Sequence, residues 1–267
     1  MRMCATHNSA VRRGRQRGLG LTLALGIGFA PNLMHVRAED QSPRAAPARL
    51  APAQRAFFEA QRRYLNEPTN HIAAWEFARA GFERGEFSTN DTERATLAVQ
   101  GIDACRRIIA RDPKSAPGHY YLGMNLGQLA RTKLLGALKI VGELEQAFKT
   151  AAALDERFDH AGPDRCLGLL YLQAPVLGSV GSRTKARKHL ERAAELAPDY
   201  PENRLNLAEA YLKWREKKPL RRELDALEKL WPAARTAFAG PDWEADWRDW
   251  SKRNQTLRAK AEALLKP

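Results

Sequence analysis

The stretch RLNLAEAYLKWREKKPLRRELDALEKLWP, Arg204–Pro232, decides the fold. Its residues Leu207, Ala208 and Tyr211, then Leu220, Leu224 and Leu227, recur at the three- and four-residue steps that place side chains on one face of an α-helix. The two clusters read as a pair of antiparallel helices. Ala208 is small where the helices cross, because a larger side chain would push them apart, and Tyr211 fills the gap beside the crossing. Pro232 follows the second helix and is expected to stop it, since its ring removes the backbone donor that another turn would need. Such a pair cannot bury its apolar faces alone, so neighbours of the same kind are expected.

They lie upstream, at a period of about 34 residues. Leu167-Gly168 and Tyr171 pair with Ala186, Leu190 and Ala193, and Pro198 closes that unit. Before it, Leu122-Gly123 and Leu126 pair with Leu144, Phe148 and Ala151, ending at Leu154-Asp155. The earliest unit joins Trp75, Ala78 and Phe82 to Gly101, Cys105, Ile108 and Pro113, although Arg79 stands where a small residue is expected. Gly123 and Gly168 take the part of Ala208, while Ala151 and Ala193 allow close contact between neighbouring pairs. No long alternating β pattern occurs. The reading is all-α: a superhelix of four hairpins at about 72–113, 116–156, 161–198 and 201–232, with capping helices at both ends. After the Gly240-Pro241 break, Trp243, Trp247 and Trp250 mark one face of a final helix over 242–265, whose role is to seal the last pair.

The N-terminus reads as an address. Arg12, Arg13, Arg15 and Arg17 precede the apolar segment Leu19–Ala30, which has the length of a signal-peptide core and is too short to span a bilayer. Val36-Arg37-Ala38 suits cleavage after Ala38, so residues 1–38 are expected to be removed and the product to be periplasmic or secreted, with no transmembrane segment. Paired arginines invite a twin-arginine reading, but the layout favours the general secretory route. Cys4 precedes the apolar segment, where a lipid-anchored cysteine would have to follow it. Three prolines among alanines and arginines then make residues 39–53 a flexible leader, and residues 54–267 a single domain.

The 267 residues carry a net charge of +13, but the first 38 hold six Arg and no acid, leaving +7 on the remainder. Two basic runs stand out, Arg183–Arg192 and Lys213–Arg222. Glu191, Glu195, Glu216 and Glu223 interrupt or flank them as in solvated helix faces, and export removes the chain from nucleic acid; an acidic protein or an anionic lipid surface is the functional alternative. Cys105 and Cys166 sit among apolar helix positions and read as buried thiols in preference to a disulfide. Val176–Arg183 superficially resembles a phosphate loop, but no strand precedes it and no Gly-Lys-Ser/Thr follows; it reads as an interhelical loop with Ser182 capping the next helix. His71, His119, His160 and His189 lie in separate segments, and no nucleophile elbow, metal motif or cofactor motif is present, so neither catalysis, a metal nor a cofactor is expected.

These positions resemble the tetratricopeptide repeat superfamily from about Ile72 to Pro232. The segments Leu122–Arg131, Gly162–Tyr171 and Ala197–Leu205 are more closely similar to the periplasmic tetratricopeptide proteins associated with TRAP transporters, the T-component family. That resemblance implies a protein partner, a periplasmic solute-binding subunit, with a homo-oligomer as a further implication. In such a superhelix the first helix of each pair lines a groove. The groove residues are then Tyr120 and Met124, Arg165, Leu169 and Leu172, and Leu205, Glu209 and Leu212. An apolar lane with one arginine suits a peptide, a helix or an amphiphilic acid whose carboxylate meets the Arg165 fork. The opposing reading is that these side chains pack against a terminal helix. The function expected is a non-enzymatic scaffold for a protein partner; the alternative is a carrier of a small apolar or carboxylate-bearing solute.

Overall fold

The computed structural model describes residues 45–133 and 136–266. Among them it contains α1 (Ala45–Asn66), α2 (His71–Gly85), α3 (Asp91–Arg111), α4 (Ala116–Arg131), α5 (Ala137–Leu154), α6 (Phe158–Gln173), α7 (Arg183–Leu196), α8 (Pro201–Lys213), α9 (Lys217–Ala237) and α10 (Glu244–Leu265). A short 3-10 turn, Pro241–Trp243, leads into α10. No strand occurs among the described residues. The expected signal segment and cleavage site lie outside them.

Side-chain caps set several helix starts. Asn70 accepts from the Ile72 amide at 2.9 Å, Asn90 from Glu93 at 2.8 Å, Ser115 from Gly118 at 3.2 Å and Ser182 from Lys185 at 3.3 Å. Each satisfies an amide that the first helical turn would otherwise leave without a partner. The pairs α2/α3, α4/α5, α6/α7 and α8/α9 pack as antiparallel hairpins, and the first helices of successive hairpins also touch.

Glycine decides how closely a pair can approach. A Cβ on Gly123 would stand 2.7 Å from Phe148 Cε1 in α5, and one on Gly168 would stand 2.6 Å from Leu190 Cγ in α7. Both distances are too short for any side chain, so the crossings seen in the repeat pattern are real contacts of backbone with a ring or an isobutyl group. Cys105 and Cys166 are buried free thiols. Burial raises both, Cys166 to about 12, so neither is a nucleophile at neutral pH.

Two expectations need correction. The stretch 39–53 is not a leader throughout, because α1 begins at Ala45 and runs through Pro52. Pro47 falls in the first turn, where the missing donor costs nothing, Pro52 is exposed, and the surrounding alanines favour helix. The helix is then fixed by packing: Phe57 is buried and Tyr64 stacks on Phe77 with ring centroids 5.1 Å apart. Pro232 likewise does not end α9, which continues to Ala237. The extension places Ala234 and Phe238 in the C-terminal core, where the Trp247 indole donates to the Phe238 carbonyl at 2.7 Å. Pro113 and Pro198 do follow helix ends, at Arg111 and Leu196. As expected, Trp247 and Trp250 are buried in the face that α10 lays on the last hairpin, with Trp243 half-buried beside them.

Gly168→Ala is expected to destabilise the protein by about 1–3 kcal/mol through overpacking. Gly142, on the exposed side of α5, has nothing within 4 Å of a built Cβ. Gly142→Ala should therefore stabilise by roughly 0.5–1 kcal/mol, and urea unfolding of the two variants measures both signs.

Candidate functional site

The most heavily constrained polar centre begins where α5 hands over to α6. Ahead of Gly162-Pro163 the chain runs through three consecutive left-handed residues, Asp159, His160 and Ala161, at φ of 50°, 55° and 61°. For residues other than glycine this conformation costs about 1–2 kcal/mol each. Something must hold it, and Arg165, one turn along α6, does. Its Nη1 donates to the carbonyls of Asp159 (3.2 Å) and His160 (3.1 Å), and its Nη2 to the Asp159 carboxylate (3.0 Å). Tyr120 from α4 donates to the same carboxylate at 2.7 Å. From α8, Asn203 donates to the His160 and Ala193 carbonyls and accepts from Arg165 at 3.1 Å.

The charge is closed within the protein. Burial by itself would lower the Arg165 pKa, but Glu202, Tyr120, Tyr200 and Asp159 outweigh it, so the guanidinium is held charged, well above its ordinary value. It also lies over the Tyr200 ring, 5.2 Å from the centroid. The polar seam continues into α10, where Arg253 binds Glu209 through two hydrogen bonds of 2.9 and 2.8 Å, donates to Asn206 and stands 3.7 Å from Glu202. Its pKa is also raised, by Glu209 and its other carboxylate neighbours acting against burial. Buried Arg165 and partly buried Arg253 thus neutralise carboxylates that line the joints α6–α8 and α8–α10.

The groove expectation is corrected here. Tyr120, Met124, Arg165, Leu169 and Leu205 are all at most 5% exposed. Tyr120 and Arg165 meet through Asp159, and Met124 lies against Cys166 with the sulfurs 3.8 Å apart. Leu169 and Leu205 belong to the C-terminal core, and half-buried Leu172 and Leu212 pack against it. Glu209 is taken by Arg253 of the capping helix. The cause is the direct packing of successive first helices, which turns these positions into joints; α4 exposes no side chain from Tyr120 to Gln128, nor α6 from Ala161 to Tyr171. Arg165 in particular is fully buried, out of reach of an external carboxylate.

Chemistry that reaches the surface sits elsewhere. Glu216 is shared by Arg183 and Arg187, whose guanidinium groups lie 5.3 and 5.2 Å from the Trp214 ring centroid. A trough of about 720 Å³ runs along α9, lined by Lys217, Lys218, Arg221, Arg222, Asp225 and Lys229. Among the described residues no group of three His, Cys, Asp or Glu side chains converges as a metal site. Sequence reasoning missed Asp159, Asn203, Glu202 and Arg253, which are polar residues in helices otherwise read for their apolar stripe; the sole local signal was Gly162-Pro163 directly after His160 and Ala161.

Arg165→Met should cost about 3–5 kcal/mol in urea unfolding, because it strands the Asp159 carboxylate in the interior. His160 supplies a pH dependence. Its ring stacks on Tyr200 at 4.4 Å, and burial holds its pKa below the ordinary 6.5. The unfolded chain therefore takes up this proton first as pH falls, so stability is fully present above about pH 6.5 and declines below it. The decline between about pH 7 and 5 should flatten in His160→Phe, followed by thermal unfolding. Comparison with known proteins bears on the fold alone. No protein-family model and no curated protein sequence matches the chain. Among solved structures it is similar to a thermophilic TPR protein of Thermus thermophilus, at 20% identity and a TM-score of 0.53, covering 83% of this chain and 96% of that one. The stacked hairpins are tetratricopeptide-like.

Proposed function

We propose that the protein is an exported, non-catalytic tetratricopeptide-type scaffold whose partner is another protein, a periplasmic solute-binding subunit of a TRAP-type transporter. The observation that carries the scaffold part is the closed centre: Arg165 and Arg253 are bonded to carboxylates and amides of the chain itself, while the outer helix faces and turns display charge and apolar groups to the outside. Such a fold provides a long, rigid surface for recognition. Export rests on the basic and apolar layout of residues 12–38, and the transporter link on the similarity of Leu122–Arg131, Gly162–Tyr171 and Ala197–Leu205 to the T-component family. No helix of the described residues is long and apolar enough to cross a membrane. The solute-carrier alternative placed a ligand carboxylate on Arg165, and the intramolecular bonds of that side chain leave it no support.

Affinity capture of the processed protein from envelope extracts, with mild cross-linking and mass spectrometry, tests the reading. Reproducible recovery of a solute-binding subunit is expected. Consistent absence of one, with the bait folded and abundant, would count decisively against the transporter link.

A further inference from the structure

Because α4, α6 and α8 run parallel, the turns that join each to its partner helix lie on one edge of the stack. Direct bonds tie two of these turns together: Lys213 donates to the Leu172 carbonyl at 3.3 Å, and Arg183 and Arg187 both reach Glu216. Over the three turns from α4 onward this edge is strongly basic, whereas the α2–α3 turn of the first hairpin, on the same edge, carries Glu86, Asp91 and Glu93. Residues 132–142, 174–188 and 213–222 carry two, four and six Lys or Arg, against the single carboxylate Glu216, which is already paired. The opposite edge, formed by the turns at 112–115, 155–157, 197–200 and 238–243, carries five carboxylates and two cations. From α4 to α9 the modest net charge of the chain therefore conceals a separation of charge along the helix axes.

The basic edge also bears the two most exposed large apolar side chains among the described residues. Val176 is 73% and Leu177 90% exposed, and Leu138 in the first turn of α5 is 57% exposed on the same edge. Val176 and Leu177 stand at the tip of a closed loop. The Gly181 amide donates to the Pro175 carbonyl at 3.1 Å, the Ser182 amide to Tyr171 at 2.9 Å, and Gly178 turns the tip at φ 76°. A Cβ on Gly181 would stand 2.1 Å from the Ala174 carbonyl oxygen, so glycine permits the closure. A braced, protruding pair of aliphatic side chains, with cations spread over three hairpins at its base, matches a broad anionic surface that accepts apolar groups. A protein pocket would require a complementary recess against each scattered cation, whereas a lipid headgroup layer supplies negative charge at every position.

We propose that this edge docks on an anionic lipid bilayer, with Val176 and Leu177 entering the interfacial region and Lys133, Lys139, Lys185 and Lys213 facing the headgroups. The aliphatic tip adds apolar burial, the cations add attraction that weakens as salt is raised, and the acidic edge points the opposite face away from the membrane. The proposal goes beyond the scaffold reading and does not depend on which protein is bound.

The test places an environment-sensitive dye at the tip. In the full chain with Cys4→Ser, the buried Cys105 and Cys166 are shielded, so Leu177→Cys carries the label; Asp199→Cys on the acidic edge is the control. Addition of phosphatidylcholine vesicles containing phosphatidylglycerol should blue-shift the dye at position 177, leave that at 199 unchanged, and release the shift at high salt. Vesicles of phosphatidylcholine alone should have no effect. Lys185→Glu combined with Lys213→Glu should raise the lipid concentration needed for half the shift by about tenfold or more. No shift at 177 on anionic vesicles, equal shifts at 177 and 199, or an unaltered titration in the charge-reversed variant would each overturn the proposal. A shift at 177 that grows with protein concentration in the absence of lipid would assign the tip to a second copy of the chain and overturn it as well.

Discussion

The bond set made by Arg165 is the constraint on which the rest of the molecule depends. Three non-glycine residues in a left-handed turn are unfavourable in isolation, and a buried guanidinium is unfavourable in isolation. Placed together, each compensates for the other: the turn offers carbonyl and carboxylate oxygens, and the cation satisfies them. Since Tyr120 comes from α4 and Asn203 from α8, one polar centre joins three consecutive hairpins. The Arg253 seam repeats the device at the C-terminal cap.

A consequence is that the inner helices are used for cohesion. Where the first helices of a repeat stack stand apart, their inner faces remain available for a ligand. Here α4 and α6 are enclosed by their neighbours, and the residues that an open superhelix would present are fastened into joints between hairpins. Recognition is thereby moved to the turns and outer helix faces. The polarity of those turns, basic where the last three hairpins fold back and acidic where one hairpin passes to the next, orients that part of the stack toward a charged surface.

The parts of this structure that were legible in the sequence are those governed by nearest neighbours. Helix periodicity, the Gly123 and Gly168 crossings, the Ser182 cap and the tryptophans of the last helix each follow from local spacing and side-chain size. Pro52 and Pro232 were misleading because proline lowers helix stability without forbidding helix, and tertiary burial of Phe57, Ala234 and Phe238 outweighs the lost hydrogen bonds. Arg165 was legible as an important residue and misassigned in role. Asp159 and His160 lie only six and five positions away, but they present their oxygens to Arg165 through a left-handed turn that residue types do not announce, and Asn203 lies 38 positions away, so the local sequence does not distinguish a cation awaiting a ligand from one already bound. The left-handed turn is hidden because the bonds that hold it combine nearby Arg165 with Tyr120 and Asn203, which are remote in sequence.

The central claim, that α4 and α6 form a closed interior locked through Arg165, is tested most directly by native-state hydrogen exchange resolved to single amides. Amides in the α4 segment 120–128 and the α6 segment 163–171 are predicted to exchange only through global unfolding, with the same denaturant dependence as each other. Exchange of the α6 amides through a low-energy local opening, while α5 and α8 stay protected, would contradict it.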